Sequence, residues 1–194
     1  VEEYGKLSEK LSAAGFELVK ISGDISRQRQ LKEKKEIQAV QEAEALGDRA
    51  FSYILDKIKP GAVEREIALD LEFYMRRNGA ECLAFETICA SGARSAMPHG
   101  TASSKTIETG DFVTLDFGCV VNGYCGDMTR TVVVGKADER QKQIYRTVLR
   151  AQLEALKAIQ AGKKAADIDK VARDIIQDAG FGGNFGHSLG HSVG

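Results

Sequence analysis

The segment that most constrains the fold is TLDFGCVVNGYCGDMTRT, residues 114–131, which predicts a β-hairpin. Asn122-Gly123 is the preferred pair for a two-residue type I′ turn, and the flanking sequence is apolar and β-branched, as in half-buried strands. Each strand nevertheless contains an aspartate, Asp116 or Asp127. Because a half-buried carboxylate is costly unless its charge is compensated, both aspartates require a partner.

Counting outward from the turn gives the relation between the two aspartates. Gly118 lies opposite Asp127, and Asp116 lies opposite Thr129. Side chains alternate faces along a strand, so Asp116, Gly118 and Asp127 share one face. The two carboxylates are then diagonal neighbours, with Cα atoms roughly 7–8 Å apart. Gly118 and Gly126 are expected to leave room beside them.

Two converging carboxylates need a shared proton, a basic side chain or a metal cation between them. The simplest alternative to a metal is an ion pair with Arg130 or Arg94, or exposure of the aspartates on an edge hairpin. Arg130 lies next to Thr129 and points to the opposite face in this register, which disfavours it as the partner.

The three histidines, His99, His187 and His191, all lie in glycine- or proline-bounded motifs, MPHG and GHSLGHSVG. A single histidine is more often a hydrogen-bonded structural residue than a ligand. Three histidines with flexible flanks favour a shared centre. Mixed carboxylate and imidazole ligands suit Mn, Fe, Co or Zn better than Ca or Mg.

Composition excludes several classes of function. The chain has 194 residues, 43% of them hydrophobic, which suits one globular domain with a small appendage. The net charge of −1 gives no basic field for nucleic acid, and no apolar run approaches the ~20 residues that span a bilayer. The four cysteines form no CxxC pair, so we expect buried or half-buried free thiols, with Cys119 and Cys125 as packing residues, in a reducing cytosol.

Periodicity and turn signals predict the order of elements along the chain. We expect helices over 1–13, 31–59, 63–77 and 138–160, a strand over 16–21, a linker SGDIS, a strand over 82–90, a loop over 91–100, the hairpin, and a turn, helix and glycine over 161–182. Helices separated by antiparallel hairpins indicate an α+β class.

An internal duplication is one explanation of a repeated glycine pattern. Gly61 and Gly162 are 101 residues apart, and so are Gly79 and Gly180, each pair bracketing a helix that follows a longer one. Chance is the other explanation. A true duplication would put a site between the two halves.

The motifs SGARSAMPHG, TLDFGCVVNGYCGDMTRT and FGHSLGHSVG, in this order, resemble those of the pita-bread metallopeptidases. This family contains methionine aminopeptidases, Xaa-Pro aminopeptidases and Xaa-Pro dipeptidases (prolidases). The resemblance covers about residues 23–194 and implies a duplicated α+β fold with a curved antiparallel sheet and outer helices.

The resemblance also implies roles for individual residues. Asp116 and Asp127 match metal-binding aspartates, with Asp127 bridging two ions, and His191 matches the histidine ligand. His99 matches a histidine that contacts the substrate and stabilises the transition state. His187 looks like the extra histidine of the proline-peptidase branch, which favours Xaa-Pro specificity over methionine aminopeptidase activity.

The implied activity is hydrolysis of Xaa-Pro bonds in dipeptides or peptides by water activated at two divalent ions, Mn²⁺ or Co²⁺ first, with Zn²⁺ and Fe²⁺ also possible by ligand type. A cytoplasmic enzyme and, by analogy, a homodimer are expected, with no nucleic-acid or membrane partner. Methionine aminopeptidase is the runner-up. A non-catalytic peptide-binding module and a creatinase-like amidinohydrolase of the same fold are less favoured, because both would be expected to lack the metal-ligand residues.

One departure from the family pattern bears on activity. The chain begins with Val1 and stops at Gly194, and both ends are expected to lie inside a longer protein. The family pattern continues with another histidine and two glutamate ligands, so the chain alone is expected to bind metal weakly and to be inactive. Residues 1–22 are then the end of an N-terminal domain and linker, and residues 23–194 the catalytic domain without its C-terminal part.

Overall fold

The structure, a computed structural model, describes residues 2–19 and 21–194 and divides the chain into two compact units, Val1–Ile37 and Gln38–Gly194. The first unit contains helices α1 (Glu2–Ala13) and α2 (Ser22–Gln30). The predicted helix over 1–13 is therefore confirmed for the described residues. Among those residues, no helix combines the length and apolar character needed to cross a membrane.

Two predictions in the first unit are wrong. Residues 16–19 and residue 21 form no strand, and Lys20 lies outside the described residues. Phe16 and Val19 are exposed, so these residues have β propensity but no buried contacts that would stabilise a strand. The predicted SGDIS linker begins α2, where Asp24 in the first turn and two arginines in the last turn complement the helix dipole.

The second unit combines helices with short antiparallel strands. Its elements are α3 (Lys34–Leu55, which begins in the first unit), α4 (Glu64–Arg77), β1 (Cys82–Leu83), β2 (Ile88–Ser91), β3 (Phe112–Phe117), β4 (Cys119–Val121), β5 (Tyr124–Cys125), β6 (Met128–Val133), α5 (Glu139–Ala158) and α6 (Ala165–Asp178), with 3₁₀ turns at Gly92–Ala96 and Gly182–Asn184. The four helices lie where the sequence predicts them, within a few residues.

The strands form two three-stranded sheets, with orders β1-β4-β5 and β2-β3-β6. The predicted single strand over 82–90 is therefore wrong, because β1 and β2 belong to different sheets. The chain turns between β1 and β2, and there the Ala84 N–H donates to the Gly118 carbonyl at 3.0 Å. Gly118 lies between β3 and β4, where the hairpin passes from one sheet to the other.

The main core lies where α3 and α4 pack on the strands. Val113, Leu115 and Phe117 are fully buried and alternate with half-buried residues along β3, so one face of this strand is apolar and the other is available for a site. Gly47 of α3 is buried, and a Cβ there would meet Met128 at 3.3 Å, so the small residue lets the helix approach the sheet closely.

A second, smaller core joins α5 and α6. It is built on Ala151, Ala155, Ala172 and Ile176. Asp138 caps α5 in a capping box with Gln141, whose side chain also donates to the Gly110 carbonyl at 2.7 Å. The order of α5 and α6 repeats that of α3 and α4.

Candidate metal centre

The hairpin has the register that the sequence predicts. Asp116 pairs with Thr129 and Val121 with Tyr124. Asn122 and Gly123 both have positive φ, 51° and 77°, as a type I′ turn requires.

Asp116 is half-buried on the face of β3 opposite the core. Burial raises the pKa of its carboxyl group above the ordinary value, and the charge of Asp127 raises this pKa further. The Thr129 hydroxyl, which donates to Asp116 Oδ1 at 2.9 Å, opposes the rise, as do the charges of His191 and His99. The electrostatic surroundings of Asp116 therefore contain the second aspartate and two of the three histidines.

Asp127 is fixed from the helix side. Its backbone N–H donates to Glu44 Oε1 of α3 at 2.9 Å, and its Oδ2 lies 3.4 Å from Nε2 of His191. Sequence reasoning missed Glu44, because one glutamate on a charged helix carries no signal that distinguishes it. Asp116 and Asp127 are called the acidic pair below.

Gly118 and Gly126 allow close backbone contact. The prediction that these two glycines leave room beside the aspartates is therefore wrong. A Cβ on Gly118 would lie 2.0 Å from the carbonyl oxygen of Gly126. A Cβ on Gly126 would lie 3.2 Å from Ala43 of α3. The two glycines thus let the strands and the helix meet beside the acidic pair.

His191 presents one ring nitrogen to the acidic pair. Its Nδ1 lies 2.9 Å from the Ser192 carbonyl, which can only accept, so Nδ1 carries the proton of that hydrogen bond. Nε2, which faces Asp127, then carries a lone pair that can bind a metal ion when the ring is neutral.

The third histidine, His187, has different neighbours. Its Nδ1 lies 2.8 Å from the Ser188 carbonyl, and its ring packs edge-on against Phe185 with centroids 5.2 Å apart. Arg173 of α6 holds this segment by donating to the His187 carbonyl at 3.0 Å, and Asp169 accepts the Leu189 N–H at 2.8 Å. The described interactions of His187 thus lie on the α6 side rather than with the acidic pair.

The two arginines considered as partners of the aspartates have partners elsewhere. Arg130 pairs with Asp48 at 3.1 Å, and Arg94 pairs with Glu64 at 3.3 Å. Within the described part of the chain, the basic side chain that lies within 4 Å of the Asp127 carboxylate is that of His191.

Two of the four cysteines, Cys89 and Cys119, are poor nucleophiles. Burial raises the pKa of Cys89 to about 12 and that of Cys119 to about 11, so both thiols stay protonated at neutral pH. Cys119 Sγ contacts the Ala43 carbonyl at 3.7 Å, as expected of a packing residue. Cys82 is exposed, contrary to the expectation that all four are at least half-buried.

The donor chemistry of the site fits a divalent cation. Two neighbouring carboxylates, of which Asp127 raises the pKa of Asp116, and an imidazole nitrogen facing Asp127 are the ligand types of first-row transition metals. Over residues 2–19 and 21–194, however, no group of three or more His, Cys, Asp or Glu side chains is close enough to hold an ion.

Comparison with known proteins identifies the class to which this arrangement belongs. The fold matches the Xaa-Pro dipeptidase of Bacillus anthracis with a TM-score of 0.89 at 48% identity, covering 92% of this chain and 50% of that chain. It matches the X-Pro aminopeptidase of Thermotoga maritima with a TM-score of 0.93 at 41% identity, covering 97% and 54% of the two chains. The fold is therefore the α+β pita-bread fold of these peptidases.

The sequence comparison gives the family. Residues 38–194 match metallopeptidase family M24. The chain is 47% identical to the Xaa-Pro dipeptidase of Pyrococcus furiosus over 178 residues, which cover 92% of this chain and 51% of that protein. The chain belongs to metallopeptidase family M24, and it spans about half the length of the curated relatives it matches.

Proposed function

We propose that the full-length protein is a metal-dependent exopeptidase that hydrolyses the bond between an N-terminal residue and proline, in dipeptides or longer peptides. The observation that carries this proposal is the contact of 3.4 Å between Nε2 of His191 and Oδ2 of Asp127, on the hairpin face shared with Asp116. The family membership and the names of the Xaa-Pro dipeptidase relatives support the same activity.

In this proposal, Asp116, Asp127 and His191 would hold two divalent ions, Mn²⁺ or Co²⁺ first. When bound, such ions polarise the peptide carbonyl and acidify a water molecule. Thr129 fixes the orientation of Asp116 through its hydrogen bond to Oδ1. The Ser192 carbonyl keeps the proton of His191 on Nδ1, so that Nε2 stays available as a ligand.

The remaining histidines act on the substrate in this proposal. His99, whose charge reaches Asp116, donates a hydrogen bond to the oxyanion that develops on the attacked carbonyl. His187 holds the substrate from the α6 side. His187 also favours Xaa-Pro peptides over the substrates of methionine aminopeptidase, in agreement with the named relatives. A non-catalytic binding module would not need the imidazole beside the acidic pair.

The proposal also covers the domain boundaries, the activity of this chain alone, the compartment and the oligomeric state. Residues 1–22 are proposed as the end of an N-terminal domain, and residues 23–194 as catalytic-domain sequence that includes the matched range 38–194. Because three ligands make an incomplete set, this chain alone is expected to be inactive. We propose that the protein is cytoplasmic, since buried free thiols such as Cys89 are stable in a reducing compartment. We propose a homodimer by analogy with the family only.

A substrate panel tests the proposal. Full-length protein stripped with EDTA and reloaded with Mn²⁺ is expected to cleave Ala-Pro or Ala-Pro-peptides and to leave Ala-Ala intact, measured by release of alanine. Stripped protein without Mn²⁺ is the control and is expected to be inactive. Faster cleavage of Met-Ala-peptides than of Ala-Pro substrates, or equal turnover without metal, would contradict the proposal.

A further inference from the structure

A buried carboxylate outside the acidic pair has an unusually complete set of hydrogen bonds. Glu64, the first residue of α4, has 0% exposure. Its Oε1 accepts the N–H and the hydroxyl of Ser91 at 2.7 and 2.8 Å. Its Oε2 accepts the N–H and the hydroxyl of Ser103 at 3.1 and 2.6 Å and contacts Nε of Arg94 at 3.3 Å. These four residues are called the Glu64 clamp.

The Glu64 clamp closes the two ends of one loop. Ser91 ends β2 and begins the loop over residues 91–103, and Ser103 ends it. Arg94 also crosses the loop, because its Nη2 donates to the Thr101 carbonyl at 2.6 Å. The N-terminus of α4 also binds the second end of the loop, because the Arg65 N–H donates to the Ser103 carbonyl at 3.0 Å.

The clamp is charged at neutral pH. Burial alone would raise the pKa of the Glu64 carboxyl, but the hydrogen bonds from Ser103 and Ser91 outweigh burial and lower this pKa. Lys105 adds a second layer, because its Nζ contacts Ser91 Oγ at 2.9 Å and Asp111 Oδ2 at 2.7 Å. The carboxylate is thus a fixed acceptor for both limbs of the loop.

The loop presents His99 at its tip. His99 is exposed, so packing does not hold its ring. The backbone near it forms short-range turns from Met97 to Arg94, Gly100 to Met97 and Thr101 to His99, and Thr101 forms an antiparallel bridge with Ile88 of β2. Because Ile88 also pairs with Asp116 across β2 and β3, the bridge to Thr101 brings the loop beside Asp116. The position of the imidazole therefore depends on how the base of the loop is held.

We propose that Glu64 is a positioning residue that fixes the loop over residues 91–103 and thereby directs His99 toward the acidic pair. The catalytic relevance of this arrangement rests on the proposed function, but the positioning itself does not. Glu64 touches neither aspartate in its described hydrogen bonds and acts through the loop.

The chemistry of the clamp identifies a discriminating substitution. In Glu64→Gln, one carboxylate oxygen becomes an NH₂ group, which cannot accept a hydrogen bond. Each carboxylate oxygen faces one backbone N–H, of Ser91 or Ser103, so the amide must leave one of these donors unpaired. One limb of the loop is then released whichever way the amide is oriented. Glu66→Gln, at an exposed position in the same helical turn, is the matched control.

The test uses full-length protein and two readouts that do not require peptidase activity. Hydrogen–deuterium exchange is expected to be at least about tenfold faster in residues 92–102 of Glu64→Gln than in wild type or Glu66→Gln, since each lost 1.4 kcal/mol of closing free energy is a factor of ten. In spectra of ¹³C-histidine-labelled protein, the His99 ring signal, assigned with His99→Asn, is expected to shift while those of His187 and His191 stay in place.

Ser103→Ala provides a milder variant if Glu64→Gln does not fold. It removes the hydroxyl bond of 2.6 Å to Oε2 and is expected to give the same selective changes at smaller amplitude. Unchanged exchange in residues 92–102, or a change spread equally over α4, the sheets and the signals of His99, His187 and His191, would overturn the proposal. Failure of the wild type to cleave Xaa-Pro substrates would reject the proposed function. The exchange and histidine spectra would still test whether Glu64 positions the loop.

Discussion

The Asp127→Asn variant of the full-length protein is expected to lose Xaa-Pro hydrolysis by about 1000-fold or more, or roughly 4 kcal/mol of transition-state stabilisation. The substitution keeps the shape of the side chain and the backbone N–H that donates to Glu44. It removes the charge that faces His191 and the second acceptor oxygen of a proposed metal ligand. The measurement is kcat/KM for Ala-Pro with Mn²⁺ in excess.

Asp48→Asn is the matched control, because it makes the same chemical change at an exposed carboxylate that pairs with Arg130. Surface pairs of this kind contribute about 0–1 kcal/mol, so the control is expected to keep wild-type activity. An Asp127→Asn enzyme within tenfold of wild type would contradict a metal-ligand role for Asp127.

The Gly118→Ala variant is expected to be destabilised by about 3 kcal/mol or more, because the added methyl group overpacks a site bounded by backbone. Its Cβ would lie 2.0 Å from the carbonyl oxygen of Gly126 and 3.0 Å from the Phe85 ring. The strands must move apart at the point between Asp116 and Asp127, so Mn²⁺ affinity is expected to fall as well. Denaturant unfolding followed by circular dichroism measures the first effect, and calorimetric titration with Mn²⁺ measures the second.

Gly183→Ala is the control for this experiment, since a Cβ there meets nothing within 4 Å. It is expected to change the free energy of unfolding by less than about 1 kcal/mol. Equal stability of Gly118→Ala and Gly183→Ala would mean that the hairpin does not close as tightly as described.

The hairpin was predictable because its determinants are local. Asn122-Gly123 specifies the turn, and period-two alternation then fixes which residue faces which, so the register and the shared face of the acidic pair follow from counting. The helices were predictable for a similar reason. Gly79, with φ of 112°, follows α4 as a glycine after a helix end is expected to.

Two of the failed predictions concern strands that depend on non-local partners. Residues 82–90 are apolar enough for one strand, but the chain divides them between two sheets because each part pairs with a different segment of the hairpin region. The segment over 16–21 has β propensity without burial. No propensity scale contains the tertiary contact that decides either case.

The supporting residues of the site were out of reach of sequence reasoning for the same reason. Glu64 in the first turn of a helix is typical of a residue that complements the helix dipole in solvent. Its burial is stabilised by hydrogen bonds from Ser91 and Ser103, which lie 27 and 39 residues away in sequence. Glu44 is likewise distinguished only by its contact with the backbone of Asp127.

The central claim is that a divalent cation, with His191 as a further ligand, neutralises the acidic pair. Anomalous diffraction at the manganese edge, from crystals of full-length protein grown with Mn²⁺, tests it most directly. Anomalous peaks are expected within about 2–2.6 Å of the carboxylate oxygens of Asp116 and Asp127, with Nε2 of His191 at a similar distance from one of them. Peaks located elsewhere, with the His191 ring still paired directly to Asp127, would contradict it.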